Sequence, residues 1–506
     1  MKILLLLWCA LAAPAFSQTS TTWNGFDEFA NATLKNFDAP GMAVAVIKDG
    51  NVILSKGFGL RDVKNNLPVT PKTMFAIGSS TKSFTVVSLG TLVDEGKLDW
   101  DKPVREYLPD FRLYDKVATE EMTPRDLVTH RSGLPRHDQM WYASGFTRKE
   151  IYDRLRFLEP SHEFRSVWQY QNLMFMTAGY LASKVADMPW EDHIRRKIFA
   201  PLDMATSNFS VNDMQKAAEP AHPYMKIKEK VQEVPYRNID QIGPAGSINS
   251  TVEEMIHYVQ FHLDKGKFHG KQILSAGNVR EMQTQQMVMP GEPQEKELSS
   301  SSYGMGFMIT NYQGHKLVHH GGNIDGFSAL VSFMPHDNMG LVVLTNANGS
   351  PVPAVVERNV YDRLLGIAPV DWTKRLKDAE AKTKAAADEA KTRKLTAQRP
   401  NTHPSHDLAE YAGEFEHPAY GLVKIAQTTG GLAITFSHAT APLTHFHYDV
   451  FEVAETERFP LSKDRVQFQT NLQGDISSLS IPIETGVKAI VFARRGDASM
   501  RQRSFL

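Results

Sequence analysis

The sequence predicts a two-domain protein of mixed α/β (α+β) class, an antiparallel sheet covered by helices followed by a small all-β barrel. Three observations carry this reading. β-rich runs lie at 41–55 and again at 317–345, with helical patterns between them. A charged, alanine-rich stretch occupies 371–394. From Asp407 onward, short β-rich runs recur at regular spacing. The chain has 506 residues, of which 42% are hydrophobic and 22% charged, a globular composition with ample material for two cores. Lys plus Arg number 56 against 57 Asp plus Glu, so no basic excess exists to hold a nucleic acid.

The N-terminus reads as a leader. Met1-Lys2 precedes an apolar run from Ile3 to Ala13, and small residues follow at Ala15 and Ser17. This is the pattern of a cleavable secretory signal peptide, 1–17, with the cut after Ser17 preferred and one after Ala15 also compatible. The apolar run is too short to span a bilayer, and no later stretch approaches that length. Cys9 is the only cysteine and leaves with the leader, so the mature chain is expected to fold without disulfides in a secreted or periplasmic setting.

Gly41–Lys48 and Asn51–Ser55 flank Asp49-Gly50, a hairpin signal because that dipeptide tolerates positive φ. A helix is expected over Ser80–Glu95, with Phe84, Val87, Leu92 and Val93 on its apolar face and Gly96 as its C-terminal stop. Further helices are expected at Glu150–Leu158, Leu173–Ala186, Val252–Leu263 and Pro353–Leu365, and strands at Leu317–His320, Ser328–Met334 and Leu341–Thr345. The first domain is therefore drawn at 22–370. Between Asp371 and Lys394, 13 of 24 residues are charged and most others are Ala, which suits a solvated helical linker over 371–400. The barrel is assigned 401–506, with strands at Leu422–Ala426, Leu432–Phe436, Thr444–Val450, Val466–Thr470, Ser477–Ile481 and Lys488–Ala493.

Several chemistries are unsupported. The sequence contains no H-E-x-x-H, no G-x-G-x-x-G, no G-x-x-x-x-G-K and no G-x-S-x-G. His438, His445 and His447 cluster in the barrel region, but no carboxylate at ligand spacing completes a metal set, and a half-exposed strand face is the better reading. No metal or cofactor is expected. One S-x-x-K is present, Ser79-Ser80-Thr81-Lys82, at the start of the Ser80–Glu95 helix. Residues three apart share a helix face, so the Lys82 amine can reach the Ser79 hydroxyl. A serine needs such a neighbour to take its proton, and a lysine serves only when burial or nearby charge depresses its pKa. By itself this tetrad reads first as an N-cap serine beside a solvated lysine.

Six blocks in order remove that ambiguity: Phe75-Ala-Ile-Gly-Ser-Ser-Thr-Lys-Ser-Phe84, the run from Thr123 to Pro135, Trp168-Gln-Tyr-Gln-Asn172, the run from Gly243 to Thr251, Tyr303-Gly-Met-Gly306, and His319-His-Gly-Gly-Asn-Ile-Asp-Gly-Phe327. Over residues 25–366 the chain resembles the serine β-lactamase-like, penicillin-binding family, which includes class C β-lactamases, D-alanyl-D-alanine carboxypeptidases, D-aminopeptidases and esterases. The C-terminal region is similar to the lipocalin-like domain of some of these hydrolases. The resemblance implies Ser79 as the acylated nucleophile, with Lys82 and Tyr170 handling protons and the choice of base between them open. It implies that Asn172 holds a substrate amide. Tyr236-Arg237-Asn238 is a rival for the Tyr-x-Asn element but lacks the helical run that follows Asn172. The family's Lys-Thr-Gly is absent, and His320-Gly321-Gly322 stands in its place. On that resemblance His320, Gly321, Gly322 and Asn323 bind substrate, Asn323 giving an oxyanion N–H beside that of Ser79, while His319 points to the other face as a structural residue. The run from Thr129 to Ser132 is read as shaping the site's surroundings.

The expected activity is hydrolysis of a peptide, with D-residues within that class, or of a small ester, β-lactams serving at most as covalent ligands. A class C-like β-lactamase and a non-catalytic penicillin-fold binding protein are the alternatives. A homo-oligomer is compatible with the sequence.

Overall fold

Six long strands and their connections set the geometry of the first domain in the computed structural model, which describes residues 22–496 except 294, 369, 396–397 and 457–458, with backbone alone for 387–395. The expected leader lies outside the described residues. The strands are β1 (Gly41–Lys48), β2 (Asn51–Asp62), β3 (Met308–Tyr312), β4 (His315–Ile324), β5 (Phe327–Met334) and β6 (Met339–Thr345). They pair antiparallel in the order β3-β4-β5-β6-β1-β2, and short strands at the two edges extend the sheet to nine. Chain start and chain end of the domain thus meet at its centre, where Val44 of β1 faces Val343 of β6.

Both faces of this sheet are covered, which explains the unbroken apolar runs of its central strands. Met42, Val44 and Val46 enter one core with Phe26, Ala30 and Leu34 of helix α1 (Phe26–Asn36). Ala43, Ala45 and Ile47 alternate to the other core, which includes Phe84 of α2 (Thr81–Asp94) and Tyr258 of α4 (Val252–Leu263). Helix α3 (Asn172–Ala186) packs on α2, and α5 (Val352–Leu365) covers the α1 side. Each fully buried Val, Leu or Phe contributes roughly 1.5–3 kcal/mol through removal of apolar surface from water.

Helix α2 departs from the one-faced pattern expected of it. Every residue from Thr81 to Leu92 is buried, because the helix runs through the middle of the helical layer. Its hydroxyls are satisfied at short range or by neighbours: Ser83 donates to Ser80 O, Thr91 to Ser88 O and Thr85 to Pro244 O. The helix stops as expected, with Gly96 at φ +69° and its N–H on Val93 O. Helix α6 (Trp372–Leu395) differs in its first turn from a wholly solvated linker. Trp372 is buried and its indole donates to Asp362, whereas the described side chains from Lys377 onward are mostly exposed.

The C-terminal domain is a closed eight-stranded antiparallel barrel. Two of its strands were not expected, Gly413–His417 and Val450–Val453, and the latter is separated from Ala439–His447 by a turn inside the single strand expected at Thr444–Val450. The turns that divide these strands use Ser437, His438 and Tyr448, all at positive φ, where glycine or asparagine would ordinarily announce the reversal. An eight-stranded barrel is just wide enough to be filled by side chains. Here Phe415, Phe436, Phe451, Phe468, Phe492 and Tyr411 occupy the interior, each buried. Among the described residues no helix is long and apolar enough to cross a membrane.

Candidate active site

Ser79 sits in a single 3-10 turn, Gly78–Ser80, that leads directly into α2. That turn lies against β4 at a distance only glycine permits. Gly78 has φ +50°, and a Cβ there would stand 2.7 Å from the main-chain N of Asn323. A Cβ on Gly322 would stand 1.8 Å from Ile77 O and 3.0 Å from the main-chain N of Ser79. Ser80 fixes the same junction by donating its hydroxyl to His320 O at 3.1 Å. The main-chain N atoms of Ser79 and Asn323 both lie at this close contact between the turn and the strand.

Lys82 is fully buried one helical turn along. Its Nζ lies 2.9 Å from Ser79 Oγ, 2.8 Å from Asn172 Oδ1 and 2.7 Å from Ala245 O. Burial first, then the charge of Arg136, hold its pKa well below that of an ordinary lysine, with Asp138 acting in the opposite direction. As a neutral amine Lys82 has two hydrogens and one lone pair. Two of its neighbours are pure acceptors, so the hydrogens go to Asn172 and Ala245 and the lone pair faces the Ser79 hydroxyl. The orientation of the Asn172 amide is itself fixed, because its Nδ2 donates to Asp138 Oδ1 at 3.0 Å, and a carboxylate only accepts.

Tyr170 closes the other side. Burial raises its pKa, with the neighbouring Ser79 side chain acting in the opposite direction, so at neutral pH it is a phenol and not a phenolate. The ring lies 4.8 Å from Lys82 Nζ and 5.0 Å from the Arg136 guanidinium. Beneath it, His130 is fully buried at φ +59°, accepts from the Gln171 N–H at 3.0 Å and packs at 4.3 Å on the Tyr170 ring. This is the supporting place anticipated for the run from Thr129 to Ser132.

Two geometries differ from those expected. His320 does not present a free ring nitrogen to a substrate carboxylate: the ring is buried, with Nε2 3.1 Å from Tyr303 Oη and Nδ1 2.6 Å from Gly321 O. A carbonyl only accepts, so Nδ1 carries the hydrogen and Nε2 accepts from Tyr303. Burial lowers the His320 pKa to about 3, and the ring is neutral. Asn172 likewise has both ends of its amide engaged, Oδ1 by Lys82 and Nδ2 by Asp138, which leaves one Nδ2 hydrogen for a substrate. In each case the reason is that tertiary packing supplies a partner the sequence motif does not contain.

Asn323 has its side-chain oxygen on the Ser328 hydroxyl at 2.7 Å, leaving its main chain at the Gly78 junction. His319 turns to the opposite face, 3.4 Å from Glu357, as alternation along the strand requires. Tyr236 is not at this site, and its hydroxyl donates to Ala221 O. In the barrel, a bulge separates His445 from His447, and His445 bonds to Tyr448 O. Among the described residues no three His, Cys, Asp or Glu side chains are grouped to hold a metal. Asp138, Ala245, Arg136 and Tyr303 belong to the site and were not singled out as site residues from the sequence. Ala245 and Tyr303 lie within blocks already noted, whereas nothing local marks Arg136 or Asp138.

The fold and this junction define a serine β-lactamase-type protein, and comparison with known families agrees. Residues 26–365 match the Beta-lactamase family model, and residues 397–494 match a domain of unknown function. The chain belongs to the β-lactamase family. It is 30% identical over 423 residues to an unguisins hydrolase of Aspergillus campestris, covering 79% of this chain and 77% of that protein. Among solved structures, an octameric penicillin-binding protein homologue from Pyrococcus abyssi superposes with a TM-score of 0.60 at 21% identity, covering 94% of this chain and all of that one. A D-amino acid amidase from Ochrobactrum anthropi superposes with a TM-score of 0.58 at 23% identity, covering 68% of this chain and 98% of its own.

Proposed function

We propose that this chain is an exported serine hydrolase working through a Ser79 acyl-enzyme on peptide or small ester substrates, peptides with D-residues included. The observation that carries the reading is the buried Lys82 Nζ at 2.9 Å from Ser79 Oγ, with two pure acceptors, Asn172 Oδ1 and Ala245 O, as its other contacts, so that in the neutral amine the lone pair faces Oγ. As Oγ bonds to the substrate carbonyl carbon, the hydroxyl proton passes to Lys82. The carbonyl oxygen takes up negative charge between the main-chain N–H groups of Ser79 and Asn323. Tyr170, still a phenol, donates its proton to the departing amine or alkoxide and regains one from the Lys82 ammonium through water. Water then bonds to the acyl carbon and gives one proton to the same pair, the bond from Ser79 Oγ to that carbon breaks, and Oγ takes the proton back as the acid leaves.

The neutral, enclosed His320 argues against a dedicated β-lactamase. That strand position carries no positive charge to hold the carboxylate of a β-lactam. Carboxypeptidase, aminopeptidase and esterase chemistry remain within the proposed class, and the similarity to an unguisins hydrolase supports hydrolysis as the reaction. A non-catalytic binder is disfavoured because nothing in the nucleophile, base and oxyanion set is missing.

Turnover of 4-nitrophenyl acetate, D-alanine 4-nitroanilide and nitrocefin by the wild type and Ser79→Ala tests this. Ester or anilide hydrolysis lost with Ser79 is expected, with nitrocefin the poorest substrate. Nitrocefin turnover exceeding both by about a hundredfold in kcat/KM would return the assignment to β-lactamase.

A further inference from the structure

The segment Arg136–Trp141 borders the candidate site and is held from the C-terminal barrel. Asp138 is its working residue. One carboxylate oxygen accepts from Asn172 Nδ2 at 3.0 Å and from the Trp141 indole at 2.8 Å, while the other accepts from Arg136. Immediately before it stands His137, buried and at φ +48°, a left-handed conformation uncommon for a residue with a Cβ. Two of the four hydrogen bonds of His137 come from the barrel. Its main-chain N–H donates to the Glu484 carboxylate, and its ring Nδ1 accepts from the Tyr420 hydroxyl at 2.7 Å. The other two run from ring Nε2 to Glu159 O at 2.9 Å and from the Met140 N–H to His137 O at 3.0 Å. Nearby, Arg154 donates to Pro418 O, and Gly421 lies so close to the Phe146 ring that a Cβ would stand 2.9 Å from it.

We infer that the barrel is a positioning domain for the Ser79 site: Tyr420 and Glu484 hold His137, which sets Asp138 against Asn172, and Asn172 consequently offers Oδ1 and not Nδ2 to Lys82. The inference rests on the proposed role of Lys82 as the proton acceptor of Ser79. Its logic is one of donors and acceptors. When Asp138 is released, nothing keeps Nδ2 of Asn172 pointing away from Lys82. A turned amide would aim an N–H at the amine, compete for the lone pair that Ser79 needs, and leave the amine one acceptor short. A fluorophosphonate carries no amide for Asn172 to hold, so with that probe the loss falls on the chemical step. Tyr420 and Glu484 touch no reacting atom and are positioning residues.

The test uses the full chain and a fluorophosphonate probe, measuring the maximal labelling rate, the concentration for half-maximal rate and the melting temperature. Tyr420→Phe and Glu484→Ala are expected to slow maximal labelling about tenfold, with the half-saturating concentration within about twofold of wild type. Glu484→Gln keeps an acceptor oxygen for the His137 N–H and is expected to recover most of the rate. Glu484 is only half-buried, so this pair remains informative if Tyr420→Phe folds poorly. Labelling rates within about twofold of wild type in Glu484→Ala and Tyr420→Phe would overturn the inference. So would a loss that Glu484→Gln shares in full or that follows the melting temperature. A wild-type chain that takes no label at Ser79 would instead strike the acyl-enzyme reading itself.

Discussion

Lys82 Nζ lies 2.9 Å from Ser79 Oγ, three residues along one continuous turn, and this pair is the hinge between sequence and chemistry. The spacing alone would bring the two heads together in any helix. What distinguishes this pair is the company of the amine: Asn172 Oδ1 and Ala245 O can only accept, and the surrounding burial disfavours a charge. The amine is thereby left with a lone pair and one place to direct it.

Replacing Lys82 with Arg separates that account from a role as a fixed positive charge. A guanidinium keeps the charge and cannot give up a proton at any working pH. Lys82→Arg and Lys82→Ala are both expected to label with fluorophosphonate about a thousandfold more slowly than wild type, the range for loss of a positioned base. An arginine variant that keeps a tenth or more of the wild-type rate would show that charge, not basicity, is what the position supplies.

The junction between β4 and the Ser79 turn makes its own prediction. A methyl group on Gly322 meets Ile77 O at 1.8 Å, backbone against backbone, so the strand must move away from the nucleophile. On Gly321 the nearest atom is Ala329 O at 3.7 Å, ordinary contact. Gly322→Ala is expected to lose labelling by at least about a hundredfold while the chain stays folded, whereas Gly321→Ala costs far less. Equal losses from the two substitutions, measured by labelling kinetics beside circular dichroism, would contradict the close approach as the cause.

How much of this was legible beforehand divides along physical lines. The hairpin around Asp49-Gly50, the start of α2 and the strands from residue 317 to 345 are written in consecutive residues, where periodicity and turn chemistry speak directly. So is the Ser79–Lys82 spacing. The strand at Val450–Val453 was not legible, because Tyr448 makes its turn at positive φ without the residues that ordinarily do so. The burial of α2 on every side was hidden by its Ser and Thr residues, whose hydroxyls find partners only in the folded molecule. Asp138 and the Ala245 carbonyl reach Asn172 and Lys82 from other parts of the chain, and no local pattern encodes that meeting. His320 was legible as a departure from Lys-Thr-Gly, but its enclosure by Tyr303 was not.

His262 gives a stability prediction independent of the site. Its ring is buried among Tyr258, Phe261, Phe307 and Phe333, and neither ring nitrogen has a partner among the described residues. Burial lowers its pKa to about 3 from the 6.5 of an ordinary histidine. Between those two values the unfolded chain binds a proton that the folded chain does not, so stability falls as pH drops through that window. His262→Phe removes both the unpaired nitrogens and this proton uptake. The variant is expected to be more stable by about 1 kcal/mol at pH 7, with its advantage in melting temperature widening toward pH 5. Calorimetric curves that run parallel from pH 7 to pH 5 would contradict a neutral buried imidazole at this position.

The central claim, that Ser79 is an activated nucleophile, is tested most directly by intact-mass spectrometry after exposure to a fluorophosphonate and, separately, to a penicillin. The account predicts one adduct per chain with the fluorophosphonate in the wild type and none in Ser79→Ala, and with penicillin a slowly cleared adduct that also depends on Ser79. No adduct in the wild type, or an adduct that persists in Ser79→Ala, would contradict it.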